Sequence, residues 1–188
     1  MGVAAVVLAA GASKRLGEPK QLVSLGGETL LERAVRVARE AGCLPVVVVV
    51  GAEYANVLAN SALGDAVTVV NEQWEEGMAS SIRLGLRILG LMSKDAKGAL
   101  VMTCDQPAVT ATHLLRLMSK HEVTASRYAG RNGVPAFFPE KYFDSLMDLK
   151  GDAGARELLA GARYEGLKNG ELDVDTAEDL ARARELFG

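Results

Sequence analysis

A short loop of small and cationic residues follows the first apolar run of the sequence. Residues 8–22 read LAAGASKRLGEPKQL, in which Gly11 is followed by Arg15 and Lys20. The spacing fits neither the G-x-G-x-x-G dinucleotide fingerprint nor a Walker loop, which needs a lysine and a hydroxyl residue after its second glycine. Backbone amides of small residues can approach an anion closely, and two cations can converge on one phosphate chain. From these residues alone, a phosphate-binding loop and a solvated basic turn are equally good interpretations.

Three aspartates in later segments have the chemistry of a metal site. Asp105 lies in CDQP, directly after an apolar run, and Asp173 and Asp175 lie in DVDTAEDL. Carboxylate oxygens are ligands for Mg²⁺, which completes its shell with water and phosphate. The structural alternatives are an Asx turn at Asp105 and helix capping at Asp175. On a strand, Asp173 and Asp175 would point to opposite faces, so at most one is expected to reach a metal from regular geometry.

A polar segment in the middle of the chain has the residue types of a ligand-binding loop. Residues 71–86 read NEQWEEGMASSIRLGL, with Asn71 expected at a strand end and Ser80 and Ser81 at the start of a helix. Free backbone amides at such a start could hold a base or a phosphate. Helix capping by the serines explains the same residues equally well.

The elements that must position these residues alternate between strand and helix. Apolar runs near 3–8, 45–50, 67–70 and 99–102 predict strands, and the intervening segments have helical periodicity, including a capping box at Thr29 and Glu32. This alternation predicts a doubly wound, three-layer α/β domain of Rossmann-like type. Ligands of such domains bind at the carboxyl ends of the strands, where Gly11 and Asp105 are both expected.

The final third of the sequence departs from the parallel pattern. Segments 123–127 and 134–138 flank GRNG and predict a hairpin or a pair of edge strands, which makes the mostly parallel sheet a mixed one. A helix opened by Asp152, a strand near 172–174 and a last helix begun by Thr176, with Asp179 three residues on as in a capping box, complete the chain. Because no linker or repeat divides the sequence, we expect one domain over residues 1–188.

Composition excludes several classes of protein. The 188 residues are 49% hydrophobic with a net charge of −3, which provides no basic face for nucleic acid. No apolar run is long enough to span a membrane and no targeting signal is recognisable. Two cysteines far apart fit a reduced, cytoplasmic protein. The two histidines, His113 and His121, are expected at the surface, which disfavours covalent catalysis through a histidine base.

The motifs taken together resemble a known family. The pattern L-A-A-G-x-S-x-R-L-G-x-x-K-x-L, followed in order by N…GMxSS, CDQP, GRNGVP, GDAGAR and DVDT, is similar to that of the MobA-like nucleotidyltransferases and in particular to molybdenum cofactor cytidylyltransferases. The resemblance implies transfer of a nucleotide from a nucleoside triphosphate to a phosphate. In that family, the alanine pair Ala9 and Ala10 accompanies cytosine nucleotides.

The resemblance also implies roles for individual residues. Arg15 and Lys20 are the expected catalytic cations, and Mg²⁺ is expected at Asp105 and Asp173, with Asp175 in support. The expected nucleotide-binding residues are Leu8, Ala9, Ala10, Gly11, Ser13, Lys20, Asn71, Ser80, Ser81 and Asp105. The expected acceptor-binding residues are Gly133, Pro135, Gly151, Asp152 and Arg156.

The activity implied is transfer of CMP from CTP to the phosphate of a molybdopterin-type cofactor, with release of pyrophosphate and with a molybdenum hydroxylase as a possible recipient. Three alternatives stay open. One is a guanylyltransferase that uses GTP, and another is transfer to a different phosphorylated acceptor. The third is a non-catalytic nucleotide- or cofactor-binding chaperone of a molybdenum hydroxylase.

Overall fold

A computed structural model of the chain describes residues 2–153 and 155–188. The strands are β1 (Val3–Ala9), β2 (Ser24–Leu25), β3 (Glu28–Thr29), β4 (Val46–Val50), β5 (Val67–Val70), β6 (Gly98–Thr103), β7 (Thr124–Tyr128), β8 (Arg131–Pro139) and β9 (Arg163–Gly166). The helices are α1 (Leu30–Glu40), α2 (Tyr54–Ala59), α3 (Met78–Met92), α4 (Ala111–Met118), α5 (Phe143–Met147), α6 (Arg156–Leu159) and α7 (Ala177–Phe187).

Seven strands form one mixed sheet in the order β5-β4-β1-β6-β8-β7-β9. The four strands β5, β4, β1 and β6 are parallel, β8 runs antiparallel to both neighbours, and β9 is parallel to β7. This arrangement confirms the predicted α/β class and the mostly parallel sheet. It also brings the carboxyl ends of β1 and β6 side by side, because these two strands pair directly.

The sheet is buried on both faces, which explains the continuous apolar strands in the sequence. Along β1, Ala5 and Val7 pack with α1, α2 and α4 on one face, whereas Ala4 and Val6 pack with α3, α5 and α6 on the other. Helices therefore cover both faces, as the three-layer prediction requires. Among the described residues, no helix is long and apolar enough to cross a lipid bilayer.

A smaller cluster attaches the C-terminal helix to the main body. Val23 and Leu25, beside the β2–β3 hairpin, pack with Val174, Leu180 and Ala183. Helix α7 begins after a capping box formed by Thr176 and Asp179, as predicted. This packing holds the segment before α7 close to the loop that follows β1.

Three local predictions for the last third of the chain are wrong. Residues 172–174 form no strand, because Leu172 and Val174 are buried in the small cluster rather than by sheet pairing. Asp152 lies in a 3-10 turn and does not cap α6, which begins after Ala155; Gly154 lies outside the described residues. The β7–β8 turn is at residues 129–130, so most of GRNG belongs to β8.

Strand β9 was not predicted, and the composition of the strand explains why. Its residues, RYEG, are largely exposed because β9 forms the edge of the sheet. An exposed edge strand has no alternation of apolar and polar residues from which it could be recognised.

Candidate active site

Two adjoining cavities open at the carboxyl ends of β1 and β6. The first has a volume of about 340 Å³ and is lined by the end of β1, the loop after it and residues 74–81. The second, of about 520 Å³, is lined by residues from β8, α6 and the segment before α7. Five residues line both cavities: Lys20, Met78, Thr103, Asp105 and Asp152. The lysine–aspartate pair thus lies where two ligands could meet.

The loop after β1 is held in shape by the residues around Lys20. The backbone N–H of Lys20 donates to Ser13 Oγ at 3.0 Å. The buried Gln21 side chain donates through Nε2 to the carbonyl oxygens of Ala9 at 2.8 Å and Gly11 at 3.0 Å. No role was predicted for Gln21, because its position beside a cationic loop did not indicate that it is buried.

Gly11 and Gly51, both near the end of β1, differ in whether protein packing requires a glycine. A Cβ on Gly51 would lie 2.8 Å from Ala10 Cβ and from Trp74 Cβ, so its absence lets the Trp74 loop pack against the end of β1. A Cβ on Gly11 would meet no atom within 4 Å, so protein packing does not require a glycine there. Open space beside Gly11 is consistent with the close approach of a ligand to the backbone.

Lys20 joins two carboxylates that are far apart in sequence. Its Nζ donates to Asp105 Oδ2 at 2.5 Å and to Asp175 Oδ1 at 2.8 Å. The more exposed Arg15 donates to Asp175 Oδ2 at 2.7 Å. Although burial opposes charge on Lys20, the negative charge of Asp105 and the hydrogen bonds to both carboxylates raise its pKa well above the usual range. The lysine is therefore a fixed positive charge at the junction of the cavities.

Asp173 lies in a different electrostatic environment from Asp175. Burial and the negative charges of Asp105 and Asp175 raise the pKa of Asp173 to about 7, against the opposing charges of Lys20 and Arg131. Burial opposes ionisation of Asp175 as well, but hydrogen bonds from Lys20 and Arg15 hold its pKa below the usual range. Both carboxylates line the second cavity. The alternation of side chains expected on a strand does not apply to them, because this segment is not a regular strand.

The carboxylates fit a hard cation that takes few protein ligands. Asp105 Oδ1 is buried and has no hydrogen-bond partner in the described structure, and a cation would also relieve the repulsion that raises the pKa of Asp173. Within residues 2–153 and 155–188, no group of three or more histidine, cysteine or acidic side chains is placed to hold a metal. Two carboxylates with substrate phosphates and water match the coordination of Mg²⁺.

The polar segment forms a buried network behind the first cavity. Asn71 donates through Nδ2 to Ser80 Oγ at 2.8 Å and to Ser81 Oγ at 2.9 Å, and Ser80 Oγ donates to carbonyl oxygens of residues 73 and 77. Of these three side chains, only Ser81 lines the cavity. The network fixes the start of α3 against the end of β5, where the backbone N–H of Asn71 donates to Val50 at 2.7 Å.

Two loops meet at the boundary between the cavities. A Cβ on Gly77 would lie 2.7 Å from Asp152 Oδ1, so the loop before α3 and the turn at Gly151–Ala153 are in close contact. Arg83 reinforces this contact, since its Nη1 donates to the Leu149 carbonyl at 2.6 Å and its Nη2 pairs with Glu76 at 2.8 Å. The boundary between the cavities is therefore formed by α3 as well as by the loop after β1.

The expected site residues come together only in part. The first cavity is lined by Leu8, Ala9, Ala10, Gly11, Lys20, Ser81 and Asp105, and the second by Arg15, Gly133, Asp152, Arg156, Asp173 and Asp175, together with Lys20 and Asp105. Neither cavity is lined by Ser13, Asn71, Ser80, Pro135 or Gly151. Ser13, Asn71 and Ser80 instead hydrogen-bond to the backbone or to one another behind the cavity wall.

The structure adds lining residues that the sequence analysis left without a ligand role. Trp74 and Glu75, before α3, and Met78, the first residue of α3, line the first cavity. Gln106 and Tyr128 line the second. Trp74 and Met78 stand in the same segment as Ser81, but loop packing explains an isolated aromatic residue equally well. Only the tertiary structure shows whether such a residue lines a cavity or only packs within the loop.

The expectation that His113 lies at the surface is wrong. Its side chain is 5% exposed, and Nε2 is 2.7 Å from Ser126 Oγ, which donates to the Pro135 carbonyl at 2.6 Å. Burial lowers the pKa of His113. Helix α4 packs its His113 face against the sheet, so this histidine supports the strand behind the second cavity.

Comparison with known proteins identifies the family. The MobA-like NTP transferase domain matches residues 5–168, which include the loop after β1, the polar segment and CDQP. The chain belongs to the MobA-like NTP transferase family. The predicted resemblance is confirmed at this level, and this chain is a nucleotidyltransferase of the MobA-like type.

Relatives in this family have diverse names. The chain is 33% identical to nicotine blue oxidoreductase of Paenarthrobacter nicotinovorans, with 96% of this chain and 95% of the relative covered. It is 31% identical to the purine catabolism protein PucB of Bacillus subtilis, over 95% and 94%. A protein of Opitutus terrae named "Probable molybdenum cofactor guanylyltransferase" is 34% identical over 73% of this chain and 66% of that protein.

Solved structures match the whole MobA-like fold. Rv0371c of Mycobacterium tuberculosis H37Rv is 35% identical, with a TM-score of 0.87 and 98% of both chains covered. A complex of Rv0371c with manganese is 31% identical by structural alignment, with a TM-score of 0.81 over 98% of this chain and 99% of that one. The Rv0371c complex shows that a protein of this fold binds a divalent metal.

Proposed function

We propose that this MobA-like protein transfers CMP from CTP to the phosphate of a molybdopterin-type cofactor and releases pyrophosphate. The observation that carries the proposal is the pair of cavities that meet at Lys20 and Asp105. A transferase needs two ligand sites that converge on one reacting atom, whereas a protein that binds one nucleotide needs only one.

The residues of the first cavity are suited to the nucleoside triphosphate. The open space beside Gly11 admits phosphate oxygens to the backbone, and Lys20 supplies positive charge at the boundary with the second cavity. The alanine pair Ala9 and Ala10 supports CTP, through the resemblance described above. The name of the Opitutus terrae relative supports GTP as the second candidate.

The reaction needs little proton transfer, because a phosphate monoester is already an anionic nucleophile. One of its oxygens forms a bond to the α-phosphorus, the bond from that phosphorus to the bridging oxygen breaks, and pyrophosphate leaves with the electron pair. Lys20 and Arg15 neutralise the charge that accumulates on the leaving oxygens and align the two anions.

We further propose that Asp105 and Asp173 hold Mg²⁺, with Asp175 orienting Lys20 and Arg15. The unpartnered Oδ1 of Asp105 and the manganese complex of Rv0371c support a divalent site. When bound, Mg²⁺ supplies positive charge that stabilises the negatively charged phosphate oxygens. The whole chain, residues 1–188, is proposed to act as one catalytic domain in the cytoplasm, with a molybdenum hydroxylase as recipient of the product.

A matrix of nucleotides and acceptors tests this proposal. CTP, GTP, ATP and UTP are each mixed with Mg²⁺ and with molybdopterin-type cofactor or simpler phosphate monoesters, and pyrophosphate release is measured. We expect release with CTP and the cofactor. A clear preference for GTP would replace the cytidylyl assignment with the guanylyl one. Nucleotide binding without pyrophosphate release from any pair would favour the non-catalytic chaperone.

A further inference from the structure

Arg131 occupies a defined position in the second cavity, and the motif GRNGVP that contains it was given no role for the arginine side chain. It lies directly opposite Tyr128 in the antiparallel β7–β8 pair. Residues opposite each other in such a pair project to the same face of the sheet. The Arg131 guanidinium accordingly lies over the Tyr128 ring, 5.8 Å from its centre, and both side chains line the cavity.

The tyrosine beneath Arg131 is held in place by its own hydrogen bonds. Tyr128 Oη donates to the Val134 carbonyl at 3.0 Å and is 3.2 Å from the donor Nε2 of Gln106. A Cβ on Gly133 would overlap the Tyr128 hydroxyl, so the glycine is needed to leave room for it. This fixed ring reduces the conformational freedom that Arg131 would lose on binding a ligand.

Two of the four cationic side chains in the second cavity form ion pairs with carboxylates, and two do not. Its cations are Arg15, Lys20, Arg131 and Arg156. Asp105 and Asp175 neutralise Lys20 and Arg15 through contacts of 2.5–2.8 Å. Within the described parts of the chain, neither Arg131 nor Arg156 has a carboxylate within 4.0 Å. Neither guanidinium group forms an ion pair in the described structure, although the charge of Arg131 acts on Asp173, and both can still bind an anion from outside.

The position of the two arginines indicates which anion they would meet. Lys20 and Asp105 line both cavities, whereas Arg131 and Arg156 line only the second. A triphosphate in the first cavity would therefore reach Lys20 before it could reach either arginine. An anionic group that enters the second cavity would lie between the arginines and the Lys20–Asp105 pair.

We propose that Arg131, with Arg156, binds the phosphate monoester of the acceptor and presents it to the junction of the cavities. A guanidinium can bind two oxygens of a phosphate through parallel hydrogen bonds. The third oxygen is then free to attack the α-phosphorus. This inference rests on the proposed function only in taking the second cavity as the acceptor site.

The first test is equilibrium binding of inorganic phosphate to the full chain saturated with CTP and Mg²⁺, measured by calorimetry. The variants are Arg131→Gln, Arg131→Lys and Arg116→Gln, a matched control at an exposed position on α4 outside both cavities. Loss of a charge-assisted interaction should weaken phosphate binding about tenfold or more in Arg131→Gln and less in Arg131→Lys. Arg116→Gln should bind phosphate as the wild type does.

Either of two results would overturn the inference: wild-type protein that binds no phosphate under these conditions, or Arg131→Gln that binds it as well as the wild type. Circular dichroism of each variant verifies that it is folded. A merely structural role for Arg131 would lower thermal stability without selectively weakening phosphate binding.

Steady-state kinetics separates this inference from the proposed function. Once an active substrate pair is known, Arg131→Gln should raise the KM for the acceptor about tenfold or more and leave the KM for the nucleotide unchanged. An unchanged acceptor KM would refute the role of Arg131 while the transferase assignment stands. Phosphate binding that depends on Arg131, in a protein that transfers nothing, would refute the transferase assignment and leave the anion site intact.

Discussion

Lys20 is the residue on which the charges of the site converge. It contacts Asp105 and Asp175, and its hydrogen bonds join the loop after β1 to the segment before α7. Its raised pKa keeps it charged at neutral pH. A permanent charge at this point suits a reaction in which negative charge builds on phosphate oxygens.

Replacing Lys20 should disable the transfer reaction. For Lys20→Ala, we expect turnover to fall about a hundred- to a thousandfold, as is typical when one electrostatic contact to a transition state is removed. The matched control is Lys14→Ala, an exposed lysine in the same loop that lines neither cavity. Pyrophosphate release measures turnover, and circular dichroism monitors folding. Near-native turnover in the folded Lys20→Ala variant would show that the role assigned to this lysine is wrong.

Asp173 should lower the stability of the metal-free protein at high pH. Its pKa is about 7 in the folded protein and near 3.8 in the unfolded chain, so the folded state binds this proton more tightly. Stability from this group is present at low pH and is lost as the pH rises towards and through 7. Asp173→Asn should therefore be more stable than the wild type at pH 8, on the order of 1–2 kcal/mol after allowance for partial exposure, with a smaller gain at pH 5.

Urea unfolding at both pH values, without divalent metal, measures this gain. Asp95→Asn is the control, because Asp95 is exposed and lies in a loop away from both cavities. If Asp173→Asn were no more stable than the wild type at pH 8, the like-charge cluster around Asp173 would not exist in solution.

Among the secondary-structure elements, helix α3 positions part of the site. Ser80 and Ser81 in its first turn bond Asn71, and Arg83 joins it to the loop between α5 and α6. Farther along, Gly85 packs onto the sheet, where a Cβ would overlap a methyl group of Val6 and lie 3.2 Å from Val49. Close packing of the helix on β1 and β4 thus sets the position of its first turn.

A pair of glycine substitutions in α3 tests this packing. Gly85→Ala should destabilise the protein by about 1–3 kcal/mol, because the added methyl group has no space. Gly90→Ala in the same helix should stabilise it by about 0.5–1 kcal/mol, since a Cβ there meets no atom within 4 Å and alanine favours a helix. Thermal unfolding should show opposite shifts, of about 2–4 °C per kcal/mol. Equal effects at the two positions would contradict the close approach of α3 to the sheet.

At the scale of the whole molecule, the site joins distant parts of the chain. Arg15 and Asp175 are 160 residues apart and in direct contact. The backbone N–H of Val174 donates to the Asp105 carbonyl at 3.0 Å, which holds the segment before α7 against the end of β6. Ligands that bridge these parts should stabilise the entire fold.

Binding of nucleotide with metal should therefore raise the unfolding temperature, and the increase should depend on pH. At a hundredfold excess over Kd, a ligand adds about 2.7 kcal/mol. For a chain of this length, that corresponds to an increase in Tm of about 5–10 °C. Because Asp173 must lose its proton to bind a cation, the increase with CTP and Mg²⁺ should be larger at pH 8 than at pH 6.

Scanning calorimetry with CTP alone, Mg²⁺ alone and both together measures how much each ligand contributes to the increase in Tm. In Asp173→Asn the pH dependence of the increase should be smaller than in the wild type, and only the part that comes from the CTP phosphates should remain. An increase in Tm that is the same at both pH values in the wild type would exclude Asp173 from the metal site.

The sequence by itself determined the α/β class, the parallel strands, the capping boxes of α1 and α7 and the family, because periodicity and motif order are local properties of the chain. It also indicated the loop around Gly11, Arg15 and Lys20 and the aspartates at 105 and 173. Only the tertiary structure decided how the carboxylates are shared, that His113 is buried, and that Gln21 and Arg131 take part in the site. Each of these depends on contacts between residues distant in sequence, which the packing of β1, β6, β8 and α7 brings together.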